Sequence, residues 1–185
     1  MTVERTALLV MDVQQAIVDR TIKDPDYLTR LSGAIDRARR ADIRVVYVRV
    51  GFRPDHPELS PRNRIFANMT HLDQFDESSP ATQIVPAIAP QSGDIIVTKR
   101  RVSAFTGSDL EVVLRANDVS TLVLAGIATS GVVLSTLRDA ADRDFRLVVL
   151  SDCCADSDLE VHHVLMAKIF PRQAEILTAA EWPDR

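Results

Sequence analysis

Hydrophobic and polar positions along the chain fall into two alternating patterns. Runs that are continuously apolar, rich in Val, Ile and Leu and bounded by turn residues occupy residues 7–11, 43–50, 95–98 and 122–125. Residues 145–150 match them, and 174–177 form a weaker sixth run. Uninterrupted apolar runs of this length predict strands buried on both faces, as in a parallel sheet. Between the runs the period becomes helical. Leu28, Leu31, Ile35 and Ala38 make one apolar stripe, opened by Asp24 and Pro25, an N-cap acceptor ahead of a proline at the first helical position. Ser108 to Glu111 reads as a capping box, with Leu110, Val113 and Leu114 on a common face and Asn117 as the stop. Val133, Leu137 and Ala140 stripe a further helix, and Val161, Val164, Leu165 and Ile169 stripe the last. Alternating strand and helix, joined by right-handed crossovers, predicts an α/β fold with helices on both faces of a parallel sheet. Residues 51–79 break the rhythm with Pro54, Pro57 and Pro61, and read as a binding or interface loop.

Length and charge narrow the picture. The 185 residues fit one domain, 1–185, so one site is sought, not a division of labour. A net charge of -4, with no stretch that interleaves basic and aromatic residues, gives nucleic acid no platform. The apolar run near the amino end is too short and too acidic in its flanks for a signal peptide or membrane span, so a cytoplasmic protein is expected. The cysteines, Cys153 and Cys154, are sequence neighbours, which disfavours a disulfide between them and suits a reducing compartment.

In open α/β sheets ligands bind beyond the carboxyl ends of the strands. The residues there are Asp12 after the first run, Lys99 after the third, and the turn 126–131 leading into Val132 and Val133 after the fourth. Singly, each has a plain structural reading: a turn cap, a member of the basic run Lys99, Arg100 and Arg101, and a packing turn. Their shared placement favours a site where a carboxylate, an ammonium and a helix start meet, with the carboxylate as general base, or as acid if burial raises its pKa.

These residues also carry a resemblance. Leu8 to Gln14, with Asp12; Thr98 and Lys99 followed by Ser103, Ala104 and Phe105; Gly126-Ile-Ala-Thr129 entering a helix with Ser135, Thr136, Arg138, Asp139 and Ala140; and Ser151 and Asp152 before Glu160 and His162 are, in order and spacing, similar to the isochorismatase-like hydrolase superfamily. The resemblance implies a three-layer, Rossmann-like α/β/α fold whose six parallel strands run in order 3-2-1-4-5-6, and a homodimer or higher homo-oligomer. It implies a catalytic Asp-Lys-Cys triad, with Asp12 and Lys99 in the first two places. It implies main-chain oxyanion donors at Ala128 and Val132, and a cis peptide bond between Ile127 and Ala128. The third place differs. Where cysteine members read Gly-x-Ala-Thr-x-x-Cys, this chain has Val132, whose side chain cannot attack a carbonyl. Isochorismatases also lack the cysteine and use the aspartate as an acid on a vinyl ether.

Ser130 is an alternative nucleophile, and would need Asp12 or Lys99 within about 3 Å as its base. Cys153 and Cys154 follow another strand and read as packing. Zinc is not expected, because Asp55 and His56 are adjacent where the zinc-binding members space them by two, and His71 is isolated. His162 and His163 lie off their helix's apolar stripe and read as surface or interface residues. No cofactor is expected. The leading expectation is a hydrolase for a small, anionic molecule, contacted by Arg100, Arg101, Phe105 and Ser130, or by loop residues such as Arg53, Arg62 or Arg64. The competing one is a binding or assembly protein that keeps the fold without catalysis. A nucleotide-binding reading is set aside, because no glycine-rich turn follows the first run.

Overall fold

In the computed structural model, which describes residues 5–68 and 72–182, all six apolar runs are strands. They are β1 (Arg5–Met11), β2 (Arg44–Val50), β3 (Ile95–Lys99), β4 (Val119–Ile127), β5 (Arg146–Ala155) and β6 (Glu175–Leu177). Every pairing is parallel and the order is β3-β2-β1-β4-β5-β6. This is the topology that the resemblance implies.

The side-chain period of two explains why the runs are apolar throughout. Ala7, Leu9 and Met11 of β1, with Leu122 and Leu124 of β4, enter one core with α4 (Leu110–Ala116) and α5 (Leu134–Ala141). Leu8 and Val10, with Val123, Ala125 and Ile127, enter the opposite core with α1 (Gln15–Thr21) and α2 (Tyr27–Arg40). The predicted α2 stripe lies in that core through Leu31, Ile35 and Ala38.

Several local expectations are corrected. α2 starts at Tyr27, because Asp24 uses its carboxylate on the N–H of Asp26 and on Arg30 instead of capping at Pro25. Ser108 forms no reciprocal box with Glu111. Its hydroxyl donates to the carbonyl of Ala104 at 2.6 Å and accepts from the N–H of Leu110, while Glu111 pairs with Arg143. The stripe of α6 (Leu159–Val164) is not buried at Val161 or Val164. The chain widens into a π-type turn at Leu165–Ile169, so Leu165, Met166 and Phe170 take the core positions.

The long loop carries a short α3 (Arg64–Ala67) and closes a small cluster of Val50, Phe52, Phe66 and Phe75. His71 lies outside the described residues. No helix among the described residues is long and apolar enough to cross a membrane.

Candidate active site

β1 and β4 end side by side, with Met11 paired to Gly126. Gly126 has φ +142°, and a Cβ there would lie 2.1 Å from the carbonyl oxygen of Met11. Only glycine lets the two strand ends close up this far. At the next position of β1, Asp12 takes the left-handed conformation, φ +56°, and its N–H donates to the carbonyl of Val48 at 2.8 Å. Aspartate enters this region more readily than most side chains.

Lys99 closes β3, on the far side of β2, and its Nζ lies 2.9 Å from Oδ2 of Asp12. The same ammonium donates to the carbonyl of Arg101 at 2.9 Å. Both side chains are buried, at 2% and 9% exposure, so the pair sits in a medium where charge is costly unless matched. Oδ1 of Asp12 is also buried, and no described residue donates to it. Burial pushes the Asp12 carboxyl above its ordinary value, against the opposing charge and hydrogen bond of Lys99.

After β4 the Ile127–Ala128 peptide is cis, and the chain enters a π-type turn, Thr129–Val133, that runs into α5. The carbonyl of Ala128 accepts from Gly131 at 3.0 Å and Val133 at 3.3 Å. Val132 is buried and Ser130 is exposed. Ser130 does not use Asp12 or Lys99. Its N–H and its hydroxyl both donate to Oδ2 of Asp156, each at 2.7 Å. Burial raises Asp156, but these two bonds and the N–H groups of Asp158 and Ser157 outweigh it and hold the carboxyl below its ordinary range. A carboxylate so stabilised is a weak base, which makes the pair a structural contact.

The remaining predicted contacts are dispersed. Arg100 is engaged by Glu77, by Glu58 at 3.4 Å and by the carbonyl of Gly51. Arg101 donates to the carbonyls of Glu58 and Arg100 and lies over the ring of Phe66. Both guanidiniums therefore tie down the long loop. Phe105 sits in the core against Phe145, ring centroids 6.0 Å apart, with the Arg143 guanidinium over its face, and not at the carboxyl rim. Among the loop arginines, Arg53 pairs with Glu58, while Arg62 and Arg64 are exposed. Burial pushes Cys153 up to about 12 and Cys154 further still, so neither offers a thiolate at neutral pH. His56 bonds Asp76 at 2.7 Å, and the described residues hold no cluster of three or more metal-ligating side chains.

An isochorismatase-domain family model matches residues 6–181. The chain belongs to the isochorismatase family. It is 30% identical to an isochorismatase family protein of Bacillus subtilis, over 98% of this chain and 94% of that one. It is 33% identical to a ureidoacrylate amidohydrolase of Methylorubrum extorquens, over 80% of this chain and 69% of that one. A cysteine hydrolase from Pseudomonas syringae pv. phaseolicola superposes with a TM-score of 0.87 at 29% identity, covering 96% of this chain and 90% of that one.

In this isochorismatase-family chain, two sets of contacts escaped sequence reasoning. Gln14 is buried, and its amide nitrogen donates to the carbonyls of Val50 and Thr82 while its oxygen accepts from the N–H of Val50, each at 2.8 Å. A glutamine two residues after Asp12, next to an apolar run, was the available signal. His162 is half-buried, not merely a surface residue: its Nδ1 lies 2.8 Å from Oγ1 of the buried Thr129. A cavity of about 850 Å³ opens beside it, between Tyr27 and Arg30 on one side and Asp156, His162 and His163 on the other.

Proposed function

We propose that this isochorismatase-family hydrolase cleaves a C–N or C–O bond in a small, anionic metabolite, with Asp12 as its acid–base group and without a thiol nucleophile. The observation that carries the reading is the division of labour on Asp12: one oxygen held by Lys99, the other buried and unengaged by any described residue. A water taken up there gives a proton to Oδ1, and its oxygen adds to the electrophilic carbon. Asp12 returns that proton to the departing nitrogen or oxygen, so the enzyme ends as it began. Lys99 keeps the carboxylate ionised between turnovers. The N–H groups of Ala128 and Val132 receive the charge that develops on the substrate oxygen. The anionic substrate class follows the ureidoacrylate relative, whose name denotes a carboxylate bearing a cleavable carbamoyl nitrogen.

A second reading, a binding protein without turnover, draws on Val132, an isopropyl group at 1% exposure where cysteine members of the resemblance place the thiol. A panel of ureidoacrylate, other amide acids, activated esters and a vinyl ether acid separates the two. Turnover by the wild type that disappears in Asp12→Asn supports the hydrolase. Ammonia release only from Val132→Cys supports a silenced amidase.

A further inference from the structure

The turn proposed to cradle the oxyanion is tied within itself at the carbonyl of Ala128, which accepts from the N–H groups of Gly131 and Val133, while the Ser130 N–H finds its acceptor outside the turn. The first N–H groups of a helix have no partner within it, and a π-type turn spaces its bonds widely. Main-chain donors accelerate a reaction only when they are fixed before charge develops, since reorganising them during the step consumes the gain. Contacts from outside the turn complete its hold. Two side chains, one from the loop after β5 and one from α6, do so. Asp156 takes both the N–H and the hydroxyl of Ser130 on one oxygen, and His162 meets the hydroxyl of Thr129. Asp156 and Thr129 are buried, while Ser130 is exposed and His162 half-buried, so these bonds are shielded from water on one side.

We propose that Asp156 and His162 are positioning residues for hydrolysis, clamping the segment 128–132 from the β5–α6 flank so that the Ala128 and Val132 amides stay aimed at the scissile bond. The proposal rests on the reading of those amides as the oxyanion cradle. The role of Asp156 is geometric, because a negative charge beside the cradle opposes the oxyanion and gives no electrostatic help. Occupying the Ser130 N–H also removes a competing donor, which leaves the two flanking amides to define where the oxygen sits. Asp156 and His162 both line the neighbouring cavity, together with His163.

Isosteric and truncating variants separate geometry from charge. Asp156→Asn keeps an acceptor oxygen and loses the charge, and His162→Asn keeps a polar atom near the Nδ1 position. Asp156→Ala and His162→Ala remove the contacts. Hydrogen–deuterium exchange at the Ser130, Gly131 and Val132 amides of the full-length protein is expected to speed up by about tenfold or more in the alanine variants. In the asparagine variants it is expected to stay near wild type. On whichever panel compound the wild type hydrolyses, the alanine variants are expected to lose about 100-fold in kcat with KM within about twofold, and the asparagine variants to recover most of it. Ser130→Ala, at an exposed position, cuts only the hydroxyl leg and is expected to show a smaller effect of the same kind, even if a larger truncation unfolds the chain.

Unchanged exchange in the alanine variants overturns the clamp, whatever Asp12→Asn shows. Faster exchange with unchanged kcat overturns the positioning role. Asparagine variants as impaired as the alanine ones also overturn it, because charge at Asp156, or the imidazole ring at His162, would then be the operative property. Full turnover in Asp12→Asn refutes the acid–base reading instead, and leaves the clamp to be decided by exchange.

Discussion

Asp12 holds Lys99 with one oxygen at 2.9 Å and keeps its other oxygen buried, with no donor to it among the described residues. A carboxyl whose folded pKa lies above its ordinary value of 3.8 titrates later than a surface aspartate. As a base it must be ionised, so kcat/KM is expected to fall as pH drops through that raised value. The acid limb should be displaced upward from a surface carboxylate's. A pH–rate profile checks this, and an acid limb at the ordinary aspartate position would count against Asp12 as the group. The linkage has the same origin: a raised folded pKa favours the protonated fold, so the stability from Asp12 is full below 3.8 and is lost as pH rises through the folded value.

Lys99→Met removes the ion-pair partner that Asp12 has among the described residues and strands a buried carboxylate. Breaking a buried pair from one side costs about 3–5 kcal/mol, and that cost is expected in denaturant unfolding at neutral pH. The deficit should shrink on acidification, because a protonated Asp12 no longer needs a counter-charge. A deficit independent of pH would show that packing, not charge, is what Lys99 supplies.

Much of this architecture was readable because strands buried on both faces require apolar residues at every position. That requirement leaves continuous runs such as 122–125 in the sequence. The carboxyl-end rule then placed Asp12, Lys99 and the turn after β4. Helix starts were less legible. Asp24 and Ser108 each have several backbone partners within reach, and the winner depends on tertiary neighbours such as Arg30 and Ala104. Phe105 follows the motif around Lys99 but turns into the core toward Phe145, forty residues away. The bonds from His162 to Thr129 and from Asp156 to Ser130 span 33 and 26 residues, and no local pattern encodes such a pairing.

Gly126→Ala tests the closeness of β1 and β4. The new methyl would sit 2.1 Å from a main-chain oxygen that cannot swing aside, at φ +142°, where alanine is strained even in open space. A cost of about 4 kcal/mol or more is expected, among the largest for a single substitution. Thermal unfolding or loss of soluble expression reads it. Near-wild-type stability would mean that the strand ends separate easily.

Gln14 offers a test in which charge and shape pull apart. Its amide satisfies the carbonyl and N–H of Val50, the last residue of β2, and the carbonyl of Thr82, in the segment that precedes β3. Gln14→Leu leaves all three unpaired, and at about 1–3 kcal/mol for each orphaned group the loss should reach at least about 3 kcal/mol. Gln14→Glu has nearly the same shape and keeps the acceptor for Val50, but at neutral pH it turns a carboxylate oxygen toward two carbonyl oxygens. It should therefore be as damaging as the leucine variant near pH 7. At low pH the protonated acid can donate to one of those carbonyls, so the glutamate variant alone is expected to regain stability there. Urea unfolding of both variants across pH decides the matter. Parallel pH profiles would show that Gln14 acts through its volume and not through its hydrogen bonds.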